Sequence, residues 1–238
     1  MKVGKTYCLA DLHSQYDLYE KIKEFIKPSD IVYFLGDAID RGPEGWKLLK
    51  AIYEDPQFIY LKGNHEDMMV RALKEYQNSG RIEGTLCQIW FSNGGKETFE
   101  SWFREDKDYS WIEKIENLPY IEKTLNKKGK MFILSHAGFT PREKDIIPNT
   151  EDLLWDRDHF FDGWDEEKFP NTYIVHGHTP WLYVTREVDE NNPHIVSYCK
   201  DKNDKCRKFD IDCGSFFTST TALFDIDTFK PIYFHNKK

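Results

Sequence analysis

The chain has 238 residues, enough for one large domain or two small ones with a core that needs no disulfide or metal to hold it. Its 39% of hydrophobic and 31% of charged residues are typical of a globular protein rather than a disordered one. The net charge of −8 argues against nucleic-acid polymers and anionic membranes as partners, and no apolar run approaches the roughly 18 residues of a membrane span. Because no signal-type stretch begins the chain, we expect a cytoplasmic protein.

Three strands alternating with three helices are predicted for the first third of the chain. Residues 5–10, 31–35 and 57–61 are apolar runs rich in β-branched and aromatic side chains, as strands are. Apolar residues at helical spacing follow each run. Right-handed crossovers between such strands give a parallel sheet whose strands end at the same edge, so the residues after the three strands should lie together.

Residue types that bind metals and phosphate follow these three strands directly. They are Asp11 and His13 after the first strand, Asp37, Asp40 and Arg41 after the second, and Asn64 and His65 after the third. Gly36 and Gly63 place the second and third clusters in tight turns. A merely solvated acidic loop would not need those glycines.

The character of the sequence changes between about residues 78 and 130. Trp90, Phe99, Trp102 and Trp111 recur at helix-like spacing among many charges, and no metal-ligand cluster accompanies them. We interpret this segment as a mostly helical insertion in a single domain that spans residues 1–238. Its aromatic side chains fit core packing better than a substrate pocket, because aromatic residues mostly serve burial.

Two later strands also end in imidazoles. Residues 131–135 lead to His136, residues 173–175 lead to His176 and His178, and Arg157 lies between them after an apolar pair. The last strands, at residues 194–198, 208–213, 221–227 and 231–234, are joined by short turns. Their alternating pattern predicts an antiparallel second sheet.

Six of these residues form a candidate metal-ligand set: Asp11, His13, Asp37, Asn64, His136 and His178. Carboxylate, imidazole and amide ligands without thiolates suit Mn²⁺, Fe or Zn²⁺ rather than a structural zinc site. Six ligands exceed the need of one catalytic ion with an open position, whereas two ions that share a bridging carboxylate use them all. The five cysteines, an odd number without a CxxC pair, are expected to stay reduced and outside any metal site.

Five motifs, in order along the chain, resemble those of the PPP-type serine/threonine phosphoprotein phosphatases: Asp11-x-His13, Gly36-Asp37-x-x-Asp40-Arg41-Gly42, Gly63-Asn64-His65-Glu66, Ser135-His136-Ala137-Gly138 and Gly177-His178-Thr179-Pro180. This family belongs to the calcineurin-like metallophosphoesterases, and the short chain looks most like its bacterial and phage members. The resemblance implies an α+β fold, a four-layer α/β/β/α sandwich with two mixed β-sheets.

The resemblance also implies two divalent metal ions. The first ion would be held by Asp11, His13 and Asp37, and the second by Asp37, Asn64, His136 and His178, with Asp37 as the bridge. Mn²⁺ is the expected metal, and Fe, Zn²⁺ or Mg²⁺ remain compatible with these ligands.

Four further residues take catalytic roles by the same resemblance. Arg41 and Arg157 would bind the phosphoryl oxygens. His65, oriented by Asp40, would protonate the leaving group, while a hydroxide held by the two ions attacks phosphorus in line. His176 is expected to be structural, because the family's ligand is the histidine directly before Thr-Pro.

Two positions depart from the pattern of the family's first motif, in which Ala10 and Ser14 replace two glycines. Alanine is a small change that extended backbone tolerates. Ser14 implies either an altered turn or a cap for the following helix.

Three functions are compatible with the sequence. The leading hypothesis is a metal-dependent phosphomonoesterase that acts on phosphoserine and phosphothreonine in proteins, and at its widest on phosphotyrosine. The alternative is hydrolysis of diadenosine tetraphosphate or another nucleotide; an exposed aromatic clamp at the pocket would favour it, whereas an open groove would favour a protein substrate. A catalytically inactive binding module is the third, but no metal ligand and no general acid is lost.

Overall fold

The computed structural model describes residues 4–105, 107–141, 149–186 and 193–236. The strands in these ranges are β1 (Thr6–Leu9), β2 (Ile31–Phe34), β3 (Phe58–Tyr60), β4 (Ile121–Leu125), β5 (Met131–Ser135), β6 (Thr172–His176), β7 (Val196–Lys200), β8 (Cys206–Asp210), β9 (Thr220–Asp225) and β10 (Lys230–His235). The helices are α1 (Tyr16–Phe25), α2 (Gly45–Glu54), α3 (Asn64–Ser79), α4 (Thr85–Ser92), α5 (Lys96–Glu105), α6 (Ser110–Glu116), α7 (Thr150–Trp155), α8 (Trp181–Thr185) and α9 (Ser215–Thr218), and a 3₁₀ turn covers Asp158–Phe161. None of the described helices is long and apolar enough to cross a bilayer.

The strands form two mixed sheets. The first has the order β10-β9-β1-β2-β3 and the second the order β4-β5-β6-β8-β7. The central strands of each sheet run parallel, β1 with β2 and β3 in the first and β5 with β6 and β8 in the second. The α+β fold with two mixed sheets and the alternation of three strands with three helices are therefore confirmed.

The prediction of an antiparallel second sheet built from the last four strands is wrong. Those strands form two antiparallel hairpins, and each hairpin joins a different sheet. β7 and β8 extend the second sheet next to β6. In the first sheet, β9 pairs antiparallel with β1, with Tyr7 and Asp225 as neighbours on the two strands. Local alternation of side chains identifies a strand but does not specify a pairing partner so far away in sequence.

Both faces of each sheet are buried, which gives four layers. In β1, Leu9 packs with α1 to α6 on one face of the first sheet, while Cys8 points to the opposite face. Cys8 belongs to the core between the two sheets together with Phe132 of β5. The outer face of the second sheet packs against Leu153 of α7. Such double burial explains why the central strands read as continuous apolar runs.

The segment between about residues 78 and 130 contains α4, α5 and α6 and ends with β4. Trp90, Trp102 and Trp111 are buried in the core that these helices share with α2 and α3. Their indoles pack edge-on or tilted against neighbouring rings, for example Trp111 against Trp46 with centroids 5.2 Å apart. This is the core packing that the helix-like spacing of aromatic residues predicted.

Candidate active site

The loops after β1, β2, β3, β5 and β6 meet at one edge of the two sheets. The backbone N–H of His13 donates to the carbonyl of Asp37 at 3.0 Å, which joins the loop after β1 to the loop after β2. The N–H of His178 donates to the carboxylate of Asp11 at 3.0 Å, which joins the second sheet to the first. The loop junctions thus position the candidate ligands directly.

Asp37 lies at the centre of the cluster. Its Oδ2 is 3.5 Å from Nε2 of His13, and its Oδ1 is 3.5 Å from Nε2 of His136. Oδ1 of Asn64 lies 2.8 Å from Nε2 of His136 and 3.1 Å from Nδ1 of His178. Each of these side chains is buried.

Two groups of potential ligand atoms share Asp37. The first consists of His13, Asp37 and His65, the second of Asp11, Asp37 and His136, and within each group the atoms lie within 4.8 Å of one another. These groups, with the contacts of Asn64 and His178 given above, bring the six predicted ligands together around Asp37, but Asp11 is grouped with His136 rather than with His13 as the predicted first ion would require. His65 is itself a member of the first group, although the resemblance assigned it to proton transfer rather than to metal binding.

The hydrogen bonds of two imidazoles indicate that this cluster fits a cation. Nδ1 of His13 lies 2.9 Å from the carbonyl oxygen of Ile39, and Nδ1 of His136 lies 2.8 Å from that of Leu35. A carbonyl only accepts, so both Nδ1 atoms carry the proton and both Nε2 lone pairs face the cluster. Nε2 of His136 then lies beside Oδ1 of Asn64, two acceptors with no proton between them, and a bound cation would remove their repulsion.

Burial and charge shift the pKa values in the cluster in different directions: the pKa of Asp37 and of three histidines is lowered, and that of His65 is raised. Burial alone would raise the pKa of Asp37, but the positive charge that His136, His65, His13 and His178 carry when protonated lowers it, and the net shift is to below its usual range. Burial lowers the pKa of His13, His136 and His178, which favours the neutral imidazoles that metals bind. Burial also acts on His65, but the carboxylates of Asp37 and Asp40 outweigh it and raise its pKa.

The backbone of these loops is left-handed at several non-glycine residues: Asp11, His13, Ser14, Asp37, Asp40, Arg41 and His178, with φ between 41° and 73°. Each such residue costs about 1–2 kcal/mol. Strain of this kind persists only where the surrounding contacts fix the conformation. Two glycines make the tight packing possible, since a Cβ on Gly63 or Gly177 would collide with the carboxylate of Asp37 or Asp11.

Ser14 does not cap the following helix. The residue before α1 is Gln15, which makes no side-chain cap, and Ser14 itself is left-handed with φ 64°. Its Oγ lies 2.9 Å from the carbonyl oxygens of both Asp40 and Gly42. The capping alternative is therefore wrong: Ser14 adopts the left-handed conformation that glycine favours, and its hydroxyl holds the loop that carries Arg41.

His65 and Asp40 form a hydrogen-bonded pair beside the cluster. Nδ1 of His65 lies 2.6 Å from Oδ2 of Asp40, and its Nε2 lies 3.1 Å from the Arg41 guanidinium. Contrary to the prediction of a loop at this point, Asn64 and His65 already belong to the first turn of α3. A rigid helix therefore fixes the imidazole, and its outer nitrogen faces the arginine.

Arg41 and Arg157 line one cavity of about 430 Å³, together with His178, Pro180, Tyr183 and Phe216. Both arginines are exposed, and the guanidinium of Arg41 lies 4.4 Å from the centroid of the Phe216 ring. Two guanidinium groups beside a cluster of metal ligands form a site for an anion such as phosphate.

The family model of the calcineurin-like phosphoesterases matches residues 4–212. The chain belongs to this family. The serine/threonine-protein phosphatase 2 of Escherichia coli is 28% identical over 162 residues, which cover 63% of this chain and 66% of that protein. The symmetrical bis(5'-nucleosyl)-tetraphosphatase of Wigglesworthia glossinidia brevipalpis is 29% identical over 153 residues, which cover 61% of this chain and 49% of that protein.

The fold has solved relatives as well. The crystal structure of a candidate diadenosine tetraphosphatase superposes with a TM-score of 0.59 at 15% identity, over 98% of this chain and 94% of that chain. This similarity concerns the fold alone. The chain is thus a metal-binding phosphoesterase, and its sequence relatives carry the names of two different activities.

Sequence reasoning missed Glu66 as a functional residue of this phosphoesterase. Its carboxylate accepts the backbone N–H groups of Asp37, Ala38 and Gly63 at 2.8–2.9 Å and the hydroxyl of Tyr60 at 2.8 Å. Glu66 therefore binds the turn that presents Asp37 rather than a metal. In the sequence, Glu66 was part of the Gly63-Asn64-His65-Glu66 motif, but the motif did not identify its hydrogen-bond partners.

His176 has a structural environment in this phosphoesterase. Its Nε2 lies 2.6 Å from the hydroxyl of Tyr198, and its Nδ1 lies 3.0 Å from the carbonyl of Gly177. The same hydroxyl is 3.1 Å from Nδ1 of His159. Among the described residues, His176 is in neither group of potential metal ligands, as expected for the histidine that does not precede Thr-Pro.

Proposed function

We propose that this phosphoesterase is a dimetal phosphomonoesterase that removes phosphate from serine and threonine side chains of proteins. The observation that carries the proposal is the shared position of Asp37 in two groups of ligand atoms, with two arginines beside them. A bridging carboxylate between two ions is what in-line phosphoryl transfer needs, because both the attacking and the leaving oxygen require charge stabilisation.

Asp11, His13 and Asp37 would hold one ion, and Asn64, His136 and His178 would complete the second site with Asp37. When bound, the two divalent cations would lower the pKa of a water and so supply a nucleophile at neutral pH. We propose Mn²⁺, since the ligands are hard oxygens and imidazoles, with Fe, Zn²⁺ and Mg²⁺ as alternatives.

Arg41 and Arg157 bind the phosphoryl group in this proposal. Their guanidinium groups line the same cavity and match the geometry of two phosphate oxygens. The ring of Phe216 lies against Arg41 and limits its movement. Charge that develops on the equatorial oxygens in the transition state is stabilised by groups already in position.

His65 acts as the general acid. Burial opposes the charge of this imidazole, but Asp37 and Asp40 raise its pKa, which favours the protonated form, and Asp40 holds Nδ1 so that Nε2 points to Arg41. Protonation of the leaving oxygen by a positioned imidazole contributes typically 10²–10⁴-fold to such reactions.

Hydrolysis of a dinucleotide such as diadenosine tetraphosphate is the second candidate. It is favoured by Tyr183, whose side chain is 68% exposed at the cavity and is free to stack on a base. Within the described part of the chain, Phe216 does not complete a two-ring clamp with Tyr183, since its ring is engaged by the guanidinium of Arg41 and, in a T-shaped contact, by the ring of His13. A protein substrate needs no clamp and therefore remains the first choice.

The deciding experiment measures turnover of a phosphoserine peptide, a phosphotyrosine peptide and diadenosine tetraphosphate, each with Mn²⁺ and with a chelator. We expect chelator-sensitive release of phosphate from the phosphoserine peptide, and equal activity of Tyr183→Ala on that peptide. If the protein prefers diadenosine tetraphosphate, and Tyr183→Ala loses turnover of this dinucleotide alone, nucleotide hydrolysis replaces the first proposal. No turnover of any substrate by metal-loaded protein would contradict both candidates.

A further inference from the structure

The carboxylate of Asp40 is held from the side of the helical insertion. Nε1 of Trp90, in α4, donates to Oδ2 of Asp40 at 2.8 Å. The same Oδ2 lies 2.6 Å from Nδ1 of His65. Trp90 and Asp40 are both fully buried, and among the described residues the other oxygen, Oδ1, has no hydrogen-bond partner. One oxygen of Asp40 therefore makes both of the contacts that fix the carboxylate.

The backbone of the same loop is held by the first turn of α5 and by the turn that precedes it. The N–H of Asp40 donates to Oγ1 of Thr98 at 3.0 Å, and the N–H of Arg41 donates to the carbonyl of Gly94 at 3.1 Å. Gly95 leaves room for the indole, because a Cβ there would collide with the Trp90 ring. Three hydrogen bonds thus connect the insertion to the two residues that orient the general acid and bind phosphate.

We propose that Trp90 is a positioning residue for proton transfer, and that the α4–α5 segment is a clamp on the Asp40–Arg41 loop. The inference rests on the proposed role of His65 as general acid. Without the indole N–H, the carboxylate of Asp40 loses one of the two contacts that fix it, and it can rotate so that Oδ2 no longer points at His65. His65 then loses the partner that fixes the direction of its Nε2, and proton transfer to the leaving group slows.

The dependence of the rate on the leaving group tests this inference. A serine alkoxide needs a proton to leave, whereas p-nitrophenolate scarcely does. Wild-type protein, Trp90→Phe and His65→Asn are compared on a phosphoserine peptide and on p-nitrophenyl phosphate, with the same metal loading. We expect Trp90→Phe to lower kcat on the peptide by about tenfold and on p-nitrophenyl phosphate by no more than about twofold.

Trp102→Phe is the matched control. Trp102 is an equally buried tryptophan of the same insertion, but its indole N–H reaches the carbonyl of Asp108 at 3.3 Å, away from Asp40. Its replacement should leave the ratio of the two rates unchanged. A merely structural effect of losing a buried indole would lower both rates together in both variants.

The outcomes separate the inference from the function on which it rests. A selective loss in His65→Asn with none in Trp90→Phe overturns the inference and leaves the general acid in place. Equal losses on both substrates in His65→Asn overturn the role of His65 and the inference with it. If Trp90→Phe does not fold, Thr98→Val and Thr98→Ser replace it. Only the valine removes the oxygen that accepts the Asp40 N–H, so only Thr98→Val should show the selective loss on the peptide. Identical behaviour of the two variants overturns the clamp.

Discussion

We expect metal binding to depend most on Asp37. Its carboxylate is within 3.5 Å of two imidazoles and also accepts the N–H of His65 at 3.1 Å. Burial opposes the charge of Asp37, which is stabilised by the N–H of His65 and by the imidazoles when they are protonated, and in the metal-loaded protein would be stabilised by the ions. A neutral side chain of the same shape would keep the hydrogen bond but not the charge.

We therefore expect Asp37→Asn to fold but to lose metal and activity together. Metal affinity should fall by more than the roughly 10–100-fold that loss of an outer hydrogen-bond partner costs. Metal content per chain and turnover of p-nitrophenyl phosphate measure the two effects. Asp67→Asn is the control, because Asp67 pairs with Arg71 outside the cluster. Full metal occupancy in Asp37→Asn would contradict the bridging position.

At the scale of the elements, the loop after β1 and the loop after β2 are joined through Ser14. Its hydroxyl reaches the carbonyls of Asp40 and Gly42, while its own backbone stays left-handed. The close fit leaves no room for a side chain at Gly45, whose Cβ would lie 2.8 Å from Oγ of Ser14. Ser14 therefore stabilises the two loops through a hydrogen bond and destabilises them through its strained backbone.

The two contributions are separable by two substitutions. Ser14→Ala loses the hydrogen bond and keeps the strain, whereas Ser14→Gly loses the hydrogen bond and relieves the strain. We expect the alanine variant to be less stable than wild type by about 1 kcal/mol from the hydrogen bond. The glycine variant should be more stable than the alanine variant by about 1 kcal/mol. Urea unfolding of the three proteins measures both differences, and an alanine variant at least as stable as the glycine variant would refute the strain.

For the molecule as a whole, the candidate metal ligands could be predicted from the sequence, but the hydrogen bonds between the loops that hold them could not. Asp, His and Asn at the ends of strands predicted the candidate ligands, because parallel strands bring such ends together regardless of what surrounds them. The partners of Asp40 were not readable, since Trp90 lies 50 residues away and its spacing indicates only burial. The roles of Glu66 and Ser14 were hidden for the same reason: hydrogen bonds between loops depend on backbone conformations that no local pattern specifies.

The response of the whole molecule to acid depends in part on His159, beneath the second sheet. Burial, assisted by the charge of Lys208, lowers the pKa of His159 to about 3, against about 6.5 in an unfolded chain. Between these values the unfolded chain binds a proton that the folded protein does not. Stability from this residue is therefore fully present above about pH 6.5 and is lost as the pH falls towards about 3.

His159→Phe tests this contribution, because the ring is retained and the titration is removed. The ring packs against Phe160 with centroids 4.3 Å apart, and its Nδ1 shares a hydrogen bond of 3.1 Å with the hydroxyl of Tyr198, so some stability is lost at every pH. The informative quantity is the slope. Between pH 6 and pH 4 the unfolding free energy of the variant should fall less steeply than that of wild type, by about 1.4 kcal/mol per pH unit. Urea unfolding at several pH values, with both proteins free of metal, measures it. Parallel slopes would mean that His159 is protonated in the folded protein, and that the buried contact with Tyr198 and Lys208 opens in acid before the fold does.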